Sequence, residues 1–215
     1  FVNYLLSANA GEVLLVFFGI LVGSMLFPET FNTSAKALIL TPMMLLWVNF
    51  VTDGLPALAL GTDPKSDGIM DRPPRGSGES VINTRMMASI IGIGLIMAAT
   101  GLPLFFYNVM KGDLVMAQTA LFTFLVLIEM VRIQIIRQRY DLPISSNRWL
   151  IVAIAFSIVL QGAVLYTPMH GFFDVVPLPM HLWQEMAAAF TAFLALNLGM
   201  SRLYDHVFGD DAHGP

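Results

Sequence analysis

The sequence predicts an all-α membrane protein, a bundle of six transmembrane helices with both termini in the cytoplasm. Three observations lead there. Of the 215 residues, 56% are hydrophobic and only 12% charged, against roughly 25% charge in an ordinary soluble domain. Six segments each supply the ~20 mostly apolar residues that a spanning helix needs. Nine of the eleven basic residues, Lys65, Arg72, Arg75, Arg85, Arg132, Arg137, Arg139, Arg148 and Arg202, fall on alternate connectors, their flanks and the tail, leaving only Lys36 and Lys111 for the other side. Such a bias marks the cytoplasmic face. The net charge of −4 adds nothing, because placement outweighs the sum. With no cysteine in the chain, disulfides and thiolate metal sites are excluded.

The first span is expected from Tyr4 to Phe27, ending where the connector PETFNTSAKA begins. The second runs from Leu38 to Gly61 and carries LLWVNFVTDGLPALALG, after which TDPKSDGIMDRPPRGSGES forms a polar connector. Met86 to Val109 and Leu114 to Ile136 give the third and fourth spans, separated by the short KGD turn. After RQRYDLPISSNR the fifth span covers Trp149 to Thr167, and after PMHGFFDVVPLPMH the sixth covers Trp183 to Tyr204. Trp149, Tyr166, Trp183 and Tyr204 fall near span ends, where amphipathic rings favour the interface. Gly92, Gly94 and Gly101 allow close helix approach in the third span. No internal repeat is evident. The scattered methionines read as packing residues, and His170, His181, His206 and His213 as solvated or interfacial groups without metal-ligand spacing. The segment 209–215 reads as a disordered acidic tail. The chain opens at Phe1 inside a helical pattern and shows no cleavable signal peptide, so a fragment of something longer is expected.

Three acidic residues, Glu12, Asp53 and Glu129, lie within spans and away from their ends, and no Lys or Arg is expected at comparable depth. A charge at the bilayer centre costs at least ~2.5–3.5 kcal/mol. A bound cation or shared protons would account for three of them. Asn9 and Glu12 are three residues apart on one face of the first span; Asn49, Thr52 and Asp53 share a face of the second at i, i+3 and i+4. Gly54 and Pro56 then favour unwinding of the helix beside Asp53, which would free carbonyl oxygens. Carboxylates, amides and a hydroxyl without Cys or His form a hard-cation donor set, suited to calcium rather than zinc or copper. Taken singly, Asn9, Asn49 and Thr52 read equally well as interhelical hydrogen-bonding residues. Glu12 could lie nearer a boundary than its position suggests, and Glu129 could pair with Arg132 at i+3.

LLWVNFVTDGLPALALG followed by DPKSDGIMDRPPR resembles the sixth transmembrane helix and next cytoplasmic loop of calcium-transporting P-type ATPases of the sarcoplasmic reticulum type. SANAGE resembles their fifth helix and LIEM at 127–130 their eighth, so the six spans correspond to helices five to ten. The resemblance implies that Asn9, Glu12, Thr52, Asp53 and Glu129 form one calcium site, and that Asn49 and Asp53 contribute to a second, incomplete without the family's fourth helix. It implies a C-terminal transmembrane domain over 1–208 with a cytoplasmic coupling loop over 62–84. The 62–80 stretch would contact upstream actuator, phosphorylation and nucleotide-binding domains. No DKTG, TGES or TGDGVND occurs in the chain, so no phosphorylation site is expected within it, and ATP and Mg2+ would act only in the parent's other domains. The implied function is the ion-binding part of a translocase moving calcium out of the cytoplasm. Proton countertransport is expected because carboxylates emptied of a cation inside a bilayer bind protons rather than remain unpaired charges. The expected setting is the lipid bilayer of a bacterial cytoplasmic membrane, with no nucleic-acid partner. An ATP-independent cation carrier or an accessory helix bundle is the alternative, and manganese or another hard cation could replace calcium.

Overall fold

A computed structural model describes residues 2–32, 38–64, 82, 84–138 and 142–208. Most of the 62–84 loop, including DPKSDGIMDRPPR from Lys65 on, and the 209–215 tail lie outside the described residues. The elements in chain order are α1 (Val2–Leu26), the single turn α2 (Pro28–Phe31), α3 (Pro42–Trp47), a π-helical turn (Val48–Thr52) and α4 (Gly54–Leu60). There follow α5 (Thr84–Met110), α6 (Leu114–Gln138), a 3-10 turn (Ile144–Ser146), α7 (Arg148–Tyr166), the single turn α8 (His170–Phe173) and α9 (Met180–Phe208). Six helices are long and apolar enough to cross a membrane, the second being α3, the π-turn and α4 run together. The described residues contain no strand.

Local chemistry sets the ends. Span two starts at Pro42 rather than Leu38, because Thr41 Oγ1 caps Met44 N–H at 3.2 Å and Pro42 takes the first turn, where a missing N–H costs nothing. Leu38 to Thr41 is therefore non-helical; Gln118 Nε2 donates to Leu38 O at 2.6 Å, and Ile39 and Leu40 are buried. Asn147 caps α7 through Leu150 N–H at 2.9 Å. The expected connector 168–181 is not all loop. Its α8 turn inserts Phe173 against Trp47 and Phe122, with ring centroids 5.0 and 6.5 Å away.

α5 and α6 form the interior, α1 and α9 flank α5, and α7 packs on α4 and α6. Phe105, Phe122, Phe124, Leu121, Leu15, Met97 and Phe193 make the centre. Lipid tails are as apolar as these side chains, so the helices associate by close packing rather than by expulsion from water. The tightest approach joins α1 to α5. A Cβ added at Gly94 would sit 3.3 Å from Gly11 Cα and 2.8 Å from Leu14 Cδ1. Gly94→Leu is expected to force the two helices apart and to destabilise the bundle by about 1–3 kcal/mol. Thermal unfolding of the detergent-purified protein would register this as a lowered midpoint; an unchanged midpoint would refute the packing argument.

Candidate ion-binding site

Glu12 of α1, Asp53 at the head of α4 and Glu129 of α6 are 6%, 1% and 1% exposed, and they face one another across the bundle interior. Asn49 Nδ2 donates to Glu12 Oε2 at 2.6 Å and also to its own helix at Leu45 O. Tyr4 OH donates to Asp53 Oδ1 at 3.2 Å. Thr52 is buried beside Asp53, its hydroxyl donating to Val48 O at 2.9 Å. Glu12 Oε1 and Asp53 Oδ2 are buried and have no hydrogen-bond partner among the described residues. Such atoms are costly to leave unmatched in a low dielectric. Asn9 is not brought to this cluster: it is exposed, and its amide donates to Leu5 O at 3.0 Å.

The helix break beside Asp53 differs from the expected unwinding. Backbone continuity is kept by a wide turn N-terminal to Asp53, in which Asp53 N–H reaches back five residues to Val48 O at 2.8 Å. Pro56 explains its position. In an unbroken α-helix the Pro56 ring would strike the carbonyl of Thr52; the π-turn displaces that carbonyl, and Pro56 then falls in the first turn of α4, where no N–H is required. Thr52 O loses its ordinary i+4 donor, because Pro56 has none and Ala57 N–H goes to Asp53 O at 2.9 Å. Turns of this kind are frequent at functional sites.

A second departure concerns charge. Arg132 does lie at the depth of the carboxylates, 1% exposed. Its Nη1 contacts both oxygens of Glu129 at 2.6 Å, its Nη2 bonds Ser7 Oγ, and its guanidinium carbon stands 5.9 Å from the Tyr4 ring centroid. The expectation that no basic residue reaches this depth is thus corrected. The counting of spans placed Arg132 near an interface, but an (i, i+3) pair shares one helix face, and α6 turns that face inward. Tyr4 and Ser7 are the residues that sequence reading left out of the cluster; the pairing of Glu129 with Arg132 at i+3, the alternative reading of that spacing, is present in the structure. Among the described residues no three His, Cys, Asp or Glu side chains converge closely enough to hold a metal ion together. The open donors are concentrated on Glu12 and Asp53.

Polar clusters also fasten the two ends of the bundle. Below α4, Asp63 bonds Arg137 Nε at 2.9 Å and Asn147 Nδ2 at 2.7 Å; the same Asn147 amide reaches Ala59 O at 2.8 Å. Arg137, 2% exposed, also holds Ser146 Oγ at 2.6 Å and Gln134 Oε1 at 3.0 Å. This ties the end of span two to α6 and α7. At the opposite end Asn108 and Lys111 clasp Glu185 at 3.0 and 2.6 Å. The hydrogen bond to Glu185 holds the Lys111 ammonium pKa above the usual lysine value.

The family described as cation transporting ATPase, C-terminus, matches residues 37–202. The calcium-transporting ATPase of Bacillus subtilis is 33% identical over 173 residues, covering 78% of this chain and 18% of that protein. The probable cation-transporting ATPase F of Mycobacterium bovis, and its counterpart in Mycobacterium tuberculosis H37Rv, are 28% identical over 198 residues, 89% of this chain and 21% of theirs. The chain spans about a fifth of the length of the curated relatives it matches.

Proposed function

Since the chain belongs to the cation-transporting P-type ATPases, as the C-terminal membrane region, we propose that it supplies the ion site of an ATP-driven pump that moves calcium out of the cytoplasm. The observation that carries this reading is the pair of buried, unpartnered carboxylate oxygens, Glu12 Oε1 on α1 and Asp53 Oδ2 beside the helix break of span two. A dehydrated cation in this setting would be met by those oxygens, with the Asn49 amide oxygen and the Thr52 carbonyl as neutral ligands. An all-oxygen set suits calcium, which accepts flexible coordination by six to eight oxygens. The name of the Bacillus relative points the same way.

The transported ion enters as substrate. Asn49 orients Glu12, Tyr4 orients Asp53, and the π-turn gives span two a joint at which those two groups can separate or close. When the ion leaves, two carboxylates would remain in a medium that does not solvate them, and uptake of protons from the far side is the least costly compensation. ATP and Mg2+ act, in this reading, on domains outside these 215 residues, with the 62–80 loop as the contact to them. The bilayer of a bacterial cytoplasmic membrane is the proposed setting. Vesicles containing the full-length protein should accumulate radioactive calcium only when ATP is supplied, and calcium should stimulate ATP hydrolysis. Accumulation without ATP would favour a passive carrier, and failure of calcium to stimulate hydrolysis would remove calcium as the cargo.

A further inference from the structure

Arg132 is the one residue of the cluster that a cation site should not contain. Burying a guanidinium is costly unless it is paired and hydrogen-bonded, and here the pairing is specific: Nη1 bridges both Glu129 oxygens at 2.6 Å while Nη2 takes Ser7 Oγ. Both Glu129 oxygens are thus already engaged by a positive charge that belongs to the chain itself. Glu12 and Asp53, in contrast, each keep a buried oxygen with no partner. No third acidic or histidine side chain stands close enough to join them around a metal ion among the described residues.

From this geometry we infer that Arg132 is a resident cation seated on Glu129, which withdraws that carboxylate from the ion site and limits the pump to one divalent ion per cycle. Three carboxylates less one guanidinium leave two negative charges, which a single divalent ion cancels. A second ion would have to displace a guanidinium that is covalently tethered and held at both terminal nitrogens. The resemblance drawn from the sequence implied a ligand role for Glu129 instead, so the two readings differ in a countable quantity. The inference rests on the cluster being the ion site of the pump, and its test separates the two claims.

In the full-length pump, calcium bound per phosphorylation site and the Hill slope of calcium-dependent phosphorylation would be measured for four proteins. Wild type should bind one ion with a Hill slope of about one, the slope being bounded by the number of sites. Arg132→Gln frees Glu129 and should raise the count towards two, with a slope above one. The double variant Glu129→Gln with Arg132→Gln removes both charges together and should again bind one ion. Asp53→Asn should bind none. Two ions on wild type, one ion on a folded Arg132→Gln variant, or loss of binding in the double variant would each overturn the role of Arg132. Should Arg132→Gln not fold, the counts for wild type and the double variant decide. Binding that survives Asp53→Asn would instead overturn the site reading itself.

Discussion

Asp53→Asn is expected to abolish calcium-dependent phosphorylation of the full-length protein by ATP. The substitution keeps volume and preserves an oxygen to accept the Tyr4 hydroxyl, which lies 3.2 Å from Asp53 Oδ1. It removes one of the two carboxylates that retain an open, buried oxygen. An amide oxygen can still touch a cation, but without the charge it cannot offset the loss of hydration in a low dielectric. Loss of an outer-shell partner alone typically costs a metal site about 10–100-fold in affinity, so loss of a charged ligand should cost at least that. The assay is the calcium titration of phosphoenzyme formation, with the unfolding midpoint as the control for folding. A variant that phosphorylates at wild-type calcium concentrations would exclude Asp53 from the site. The control matters because neutralising a buried carboxylate that keeps one oxygen without a partner should leave the bundle about as stable as before, so that lost phosphorylation reports the site rather than the fold.

Asp63→Leu should have the largest effect on stability. Arg137 is 2% exposed, and Asp63 is its only carboxylate partner among the described residues. Removing one member of a buried pair strands the other, a change that typically costs 3–5 kcal/mol. The loss is compounded at Asn147, whose amide would give up its 2.7 Å bond to Asp63 while still capping α7. Arg137→Met alone should be less severe, since Asp63 is more exposed than Arg137 and keeps its bond to Asn147. Combining Arg137→Met with Asp63→Leu should recover part of the loss. Thermal unfolding of the three variants in detergent measures the coupling; strictly additive shifts would show that the pair contributes nothing of its own.

Much of the architecture was legible beforehand because a bilayer constrains sequence strongly. A spanning segment must be about 20 residues long and apolar, and it must satisfy its own backbone; all six expected segments are helices in the structure, with ends displaced by a few residues. The displacements trace to capping: Thr41 with Pro42 starts span two late, and Asn147 starts α7 one residue before Trp149. The position of Thr52 beside Asp53 follows from local sequence, whereas the contact of Asn49 with Glu12 joins two helices and is set by their packing. Asn9 satisfies the same spacing and is nevertheless outside the cluster, because an i, i+3 relation leaves a wide arc of a helix face open and the neighbour decides which edge of that arc is buried.

By itself, the sequence determined the membrane class, the six spans, the family resemblance and the presence of acidic groups where hydrocarbon should not tolerate them. Those properties depend on composition, length and local spacing. Only the tertiary structure decided that Arg132 stands among the carboxylates, that the break in span two is a wide turn before Asp53, and that Phe173 enters the core from an expected connector. The first and the last depend on which side of a helix the neighbours cover; Pro56 requires a break in span two but does not by itself choose between unwinding and a wide turn. Helical periodicity defines a face; packing alone determines what that face meets.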